Sequence, residues 1–124
     1  MRCMIVDDND HFLTVAGRVL DRGEVRVVGV SRGPDAMERF LELDPDVALV
    51  DVELGDGDGF ELAERLCRAV RHRAPCVILI SARDGRDVAD LVEESSAVAF
   101  VAKADLSVET ILAVVRATGC HSAV

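Results

Sequence analysis

Val47-Ala48-Leu49-Val50-Asp51 is four apolar residues closed by a carboxylate. A run with no polar alternation suits a strand buried on both faces, and such a strand needs helices above and below it. Just upstream, Asp44-Pro45 ends the preceding helix, because proline disfavours helical backbone at the residue before it. The pattern recurs along the chain. Cys3-Met4-Ile5-Val6 stops at Asp7-Asp8, and Val25 to Val30 reads as a second strand. Val77-Ile78-Leu79-Ile80 runs into Ser81-Ala82, and Val98-Ala99-Phe100-Val101 is followed closely by Lys103.

Helix-period segments lie between these runs. Phe12, Leu13, Ala16, Val19 and Leu20 recur at helical spacing, with Asn9 or Asp10 as cap and Gly23 as terminator. Gly33-Pro34 opens a second helix with proline in its first turn, and Ala36, Met37, Phe40 and Leu41 are its apolar positions. A third runs from about Phe60 to His72 with Leu62, Ala63, Leu66 and Val70 on one face, and Pro75 breaks the chain after it. Val88, Leu91 and Val92 suggest a short fourth helix. The last helix starts after Ser107 as N-cap, with Leu106 and Ile111 spaced as a hydrophobic staple, and frays near Gly119. Five β/α units predict an α/β fold: a doubly wound five-stranded parallel sheet, flavodoxin-like in the order 2-1-3-4-5, with helices on both faces. One domain then spans 1–119, and 120–124 is a tail or the start of a linker.

Half the chain is hydrophobic but only 3% is aromatic, so the core is built from Val, Leu, Ile and Ala. A net charge of −9 argues against direct contact with nucleic-acid phosphates and favours cations or basic proteins as partners, although most of the acids serve solubility. Cys3, Cys67, Cys76 and Cys120 form no C-x-x-C pair, which reads as reduced cytoplasmic thiols with Cys3 and Cys76 in the core. The chain opens into a short apolar run and then acids, unlike a secretory signal, and no stretch is apolar enough to span a membrane.

In an open α/β sheet, ligands bind beyond the carboxyl ends of the strands, where strand order reverses. Asp7, Asp8 and Asp51 meet at that point, with Ser81 and Lys103 at the neighbouring strand ends. Three carboxylates repel and raise one another's pKa, and a divalent cation removes that penalty. An all-oxygen cluster suits Mg²⁺ better than zinc. Ser81 and Lys103 would face an anion sharing the metal, the arrangement phosphoryl transfer needs. Each residue has a bland reading: acids at a helix start, a strand-end turn, a loop serine, a solvated lysine. Their joint placement outweighs those readings. Asp56-Gly57-Asp58-Gly59 is read as a flexible loop, because Leu54 and Arg65 occupy the first and twelfth positions of a calcium loop. His11, His72 and His121 are scattered and read as surface residues.

The segments Ile5-Val6-Asp7-Asp8-Asn9, Leu49-Val50-Asp51-Val52, Leu79-Ile80-Ser81-Ala82 and Phe100-Val101-Ala102-Lys103 resemble the four signatures of response regulator receiver domains of bacterial two-component systems. The resemblance covers nearly the whole chain. It implies that Asp51 is the phosphoacceptor, attacking a histidine kinase's phosphohistidine. It implies Mg²⁺ on Asp8, Asp51 and the backbone carbonyl of Glu53, with Asp7 helping through water. Lys103 and Ser81 would bind the phosphoryl oxygens, and Phe100 would turn inward as an aromatic switch. Glu53 and Arg83 would modulate how long the phosphoryl group lasts. The surface of the fourth helix, fifth strand and fifth helix would then dimerise or dock partners.

Such a domain is no enzyme beyond its own phosphorylation and dephosphorylation, and its output would be transcription through a domain outside this chain. Ala104 stands where many receivers carry proline, which weakens the case for a cis peptide there. The run Lys103 to Ser107 is similar to receivers joined to LuxR-like helix-turn-helix domains. The rival readings are a phosphorylation-independent pseudo-receiver and an aspartyl-phosphate hydrolase of the haloacid dehalogenase kind. The latter usually carries Asp-x-Asp at the first strand end, where this chain has adjacent acids.

Overall fold

The computed structural model describes residues 1–54, 57–69, 76–82 and 93–118. In chain order the elements are β1 (Arg2–Val6), α1 (Asp10–Leu20), β2 (Arg26–Ser31), α2 (Ala36–Leu43), β3 (Val47–Asp51), β4 (Glu53–Leu54), β5 (Gly57–Asp58), α3 (Gly59–Ala69), β6 (Cys76–Ser81), β7 (Ala99–Ala102) and α4 (Val108–Thr118). Five strands form one parallel sheet in the order β2-β1-β3-β6-β7. Among the described residues, the two-residue strands β4 and β5 pair only with each other. Counting the strands of the main sheet alone, this is the expected order 2-1-3-4-5.

Side-chain alternation along each strand divides the interior into two cores. Cys3, Ile5, Leu49, Ile78 and Ile80 pack with Leu13 and Ala16 of α1 and with Ile111 and Val115 of α4. Met4, Val6, Val50, Val77 and Leu79 face the opposite way, onto Phe40 of α2 and onto Ala63 and Leu66 of α3. Cys3 and Cys76 are core residues, as expected, and burial pushes the Cys3 thiol up to about 12. Cys67 is half-buried on α3. Among the described residues no helix is long and apolar enough to cross a membrane.

Local chemistry sets the helix ends. Asn9 caps α1, its side-chain oxygen accepting the Phe12 N–H at 3.1 Å. The helix ends at Leu20 rather than at Gly23, which sits at φ 62° in the turn that follows. Pro34 likewise lies ahead of α2, not in its first turn, because the chain first turns through Gly33 and Asp35 is the N-cap. Asp44 closes α2 in a left-handed conformation, its N–H on the Phe40 carbonyl, immediately before Pro45. Ser107 caps α4 by accepting the Thr110 N–H at 3.0 Å, and Leu106 and Ile111 both join the first core as the predicted staple. The expected fourth helix around Val88 to Val92, the fraying point at Gly119, the tail 120–124, Cys120, His72 and His121 lie outside the described residues.

One expectation is corrected. The Gly and Asp rich segment after Asp51 is not an unstructured loop where it is described. Glu53 pairs with Asp58 and Leu54 with Gly57, and α3 begins directly at Gly59. Tight pairing is possible because Leu54 is buried in the second core, which anchors one side of the hairpin. Glu64 of α3 accepts hydrogen bonds from the Ser96 backbone and hydroxyl, the latter at 2.7 Å. The Ser96 N–H holds the Glu64 carboxyl below the usual carboxylate range. This contact ties α3 to the segment that leads into β7.

Candidate functional site

The carboxyl ends of β1 and β3 are neighbours, while the chain leaves β1 toward β2 on one side and returns to β3 on the other. That reversal leaves a crevice. Asp7 follows β1 and Asp51 ends β3, and both are almost fully buried. Each makes the same local turn. Asp7 Oδ1 accepts the Asn9 N–H at 2.9 Å, and Asp51 Oδ1 accepts the Glu53 N–H at 3.0 Å. Both Oδ2 atoms are thereby turned toward one cation. Lys103 Nζ lies 2.5 Å from Asp7 Oδ2 and 3.3 Å from Asp51 Oδ2. Lys103 reaches them from a short 3-10 turn, Lys103–Asp105, directly after β7, and its peptide bond to Ala104 is trans.

Carboxylate oxygens of Asp7, Asp8 and Asp51 all lie within 4.8 Å of one another. Asp8 is the more open of the three. Together with Glu53, Ser81 and Lys103 they line an open cleft of about 630 Å³. Ser81 is buried at the end of β6. Phe100 is not in the cleft lining. It is half-buried on β7, opposite Leu79, and packs against the second core. Arg83 lies outside the described residues. His11 is exposed on α1.

The electrostatics leave room for a divalent cation. Three carboxylates and one ammonium carry a net charge of two negatives. Apart from its ion pair with Lys103, Asp7 Oδ2 is buried without a hydrogen-bond partner among the described residues. Burial raises the Asp51 pKa, and the neighbouring Asp7 charge adds to that, against the lowering pull of the Glu53 N–H and of Lys103. Hard oxygen donors, excess negative charge and an open side toward solvent fit Mg²⁺, which keeps waters and takes few protein carboxylates. Asp7, Asp8 and Asp51 would hold it.

A stability measurement follows from the Asp51 shift. The folded chain keeps a proton on Asp51 at pH values where the unfolded chain, with an ordinary value near 3.8, has lost it. Stability therefore falls as pH rises from that value through the folded value, and stays lowered above it. Asp51→Asn retains the acceptor for the Glu53 N–H and removes the charge. Without Mg²⁺, the variant is expected to unfold at higher urea than the wild type at neutral pH, and at the same urea in acid. A less stable variant at neutral pH would show that the Lys103 ion pair outweighs the burial of the Asp51 charge.

Three residues stand at the site beyond those that the polar strand ends predict. Phe12 is an apolar position of the α1 pattern, yet Lys103 Nζ sits 4.2 Å from the centre of its ring. Asn9, read as a cap, also binds Asp7 through its N–H. Gly59, read as loop, packs on the backbone of Asp51 and Val52. Asn9 carries a signal, since it adjoins the acidic pair; the Phe12 contact depends on long-range placement, and the Gly59 contact on how tightly the chain turns back after Asp51.

The chain matches the sequence model of the response regulator receiver domain over residues 3–116. It is 32% identical over 109 residues to protein-glutamate methylesterase/protein-glutamine glutaminase 2 of Carboxydothermus hydrogenoformans, covering 85% of this chain and 30% of that protein. It is 34% identical over 91 residues to the transcriptional regulatory protein GltR of Pseudomonas aeruginosa, covering 72% of this chain and 36% of that one. The chain thus spans about a third of the length of these relatives. Among solved structures, the signal receiver domain of the response regulator NarL from Mycobacterium tuberculosis is similar, at 30% identity and a TM-score of 0.73, over 93% of this chain and 95% of that one. With this fold, this cleft and this match, the chain belongs to the response regulator receiver domain family.

Proposed function

We propose that the domain is a phosphorylation switch in which Asp51 accepts a phosphoryl group from a sensor histidine kinase. The observation that carries this reading is the meeting of Asp7, Asp8, Asp51, Ser81 and Lys103 around one open cleft at the strand-order reversal. An Asp51 carboxylate oxygen forms the new bond to phosphorus as the bond from phosphorus to the imidazole nitrogen breaks. The electron pair stays on that nitrogen, which is protonated from solvent. Asp8, Asp51 and the Glu53 carbonyl would hold Mg²⁺, with Asp7 helping through water, and the ion would supply charge neutralisation between carboxylate and phosphoryl oxygens. Lys103 pairs with the transferred oxygens and Ser81 donates a hydrogen bond to one of them. Glu53 and Arg83 tune the loss of the group.

The phosphoryl group adds charge and strong acceptors at one point. Ser81 moves toward it, Phe100 turns inward behind it, and the surface made by the segment before β7, by β7 and by α4 changes its partners or its self-association. The domain works in the cytoplasm, turns over no separate substrate, makes no direct nucleic-acid contact, and acts on transcription through an output domain. Support for that output is the LuxR-like run Lys103 to Ser107 and the transcriptional regulator among the relatives.

Intact mass after incubation with Mg²⁺ and acetyl phosphate tests the reading, with Asp51→Ala and EDTA controls. One base-labile phosphoryl adduct is expected on the wild type, and none on Asp51→Ala or in EDTA. An adduct of equal stoichiometry on Asp51→Ala would remove Asp51 from the role. No adduct together with no Mg²⁺ binding would make the domain a phosphorylation-independent binding module.

A further inference from the structure

Lys103 is the only lysine in a chain with 14 basic side chains. A lysine ammonium is a compact point charge with three donors on a flexible stem, so its position must be imposed by its surroundings. Two sides of this ammonium are accounted for by Asp7 Oδ2 and Asp51 Oδ2. On a third lies the Phe12 ring, 4.2 Å away at its centre. The Lys103 side chain is 17% exposed, so the ring acts on a largely desolvated cation, the setting in which the attraction of an aromatic face is strongest.

The ring is itself held in place. Phe12 packs against the first core, and its N–H is bound by the Asn9 side chain. The Asn9 N–H in turn binds Asp7. One short stretch, Asp7 to Phe12, thus carries both the carboxylate that draws the lysine in and the ring that backs it.

We propose that Phe12 is a positioning residue: its ring face holds the Lys103 ammonium at the junction of the Asp7 and Asp51 carboxylates, ready to meet the incoming phosphoryl oxygens. The effect on phosphoryl uptake rests on the phosphoacceptor reading of Asp51. The contact between ring and ammonium does not.

Two measurements separate these. With mono-, di- and trifluorinated phenylalanine placed at Phe12, ring shape is nearly kept while the negative face is progressively withdrawn. The rate of uptake from acetyl phosphate with Mg²⁺ is expected to fall stepwise, by about three- to tenfold in all for a contact of this kind. The urea midpoint, which reports packing, is expected to change little. A rate that does not follow fluorination would overturn the proposal.

In Mg²⁺-free protein labelled with ¹³C-lysine, Lys103 gives one ε-methylene signal. Its protons are expected to be displaced by the ring current and to return to the ordinary position in Phe12→Leu. A signal unmoved by Phe12→Leu would also overturn the proposal. If the unsubstituted protein took up no phosphoryl group while the ring-current displacement was present, the phosphoacceptor reading would fail and the ring–ammonium contact would stand.

Discussion

Gly59→Ala is expected to destabilise the protein by about 3 kcal/mol or more, at the upper end of over-packing substitutions. A Cβ at Gly59 would lie 1.9 Å from the Asp51 carbonyl oxygen and 2.7 Å from the Val52 Cα. Neither neighbour is a side chain that can swing aside. The Val52 N–H is bound to the Ile80 carbonyl at 3.0 Å, and the Gly59 N–H to the Val52 carbonyl at 3.2 Å. Relief must come from moving the end of β3, which carries Asp51, or from lifting the first turn of α3 off the sheet. That turn is also fixed by Asp58, whose Oδ1 accepts the Phe60 N–H at 2.8 Å. Urea unfolding reads the loss, and under the proposed function whatever variant remains folded is expected to take up phosphoryl groups more slowly than the wild type.

Gly17 is the internal control. A Cβ there meets none of the described residues within 4 Å, so Gly17→Ala in α1 is expected to be stabilising by about 0.5–1 kcal/mol. Equal midpoints for Gly59→Ala and the wild type would mean that α3 can shift without cost, and that Gly59 has no part in holding Asp51.

Lys103→Met is expected to lower stability by about 3 kcal/mol at neutral pH in EDTA, the usual range for breaking a buried ion pair. Methionine fills similar volume but leaves Asp7 and Asp51 buried without their shared cation. Burial lowers the Lys103 pKa, but the adjoining Asp7 and Asp51 carboxylates raise it more, and the net direction is upward. The stabilisation from the ammonium is therefore fully present below its ordinary value of 10.5, and is lost as pH rises through the folded value. At the acid end Asp51, with its raised pKa, is neutralised early, so the gap between variant and wild type narrows there too. Added Mg²⁺ is expected to recover more stability in the variant than in the wild type, because the ion replaces the missing charge. Thermal unfolding with and without Mg²⁺ reads both effects. A variant as stable as the wild type in EDTA would mean that the carboxylates are solvated well enough to stand alone.

These two positions show how differently fold and site were written in the chain. The four uninterrupted apolar runs, each ended by Asp, Ser or a nearby Lys, determined a parallel sheet with two helical layers, and they placed Asp7, Asp8, Asp51, Ser81 and Lys103 at its carboxyl edge. Periodicity and capping chemistry are local, so Asn9, Asp44 and Ser107 could be read directly as helix limits. Helix boundaries at Gly23 and Pro34 were misplaced because the intervening turns use hydrogen bonds that no periodicity encodes. What only the tertiary structure decided is which group touches which across the sheet. Lys103 lies closer to Asp7 than to Asp51, Phe12 comes from α1 to back that lysine, and Gly59 meets the Asp51 backbone with no space for a methyl group. The lysine contacts join residues far apart in the chain and the glycine contact joins residues eight apart across a tight turn, and their distances follow from strand register and helix placement, which composition and spacing leave open.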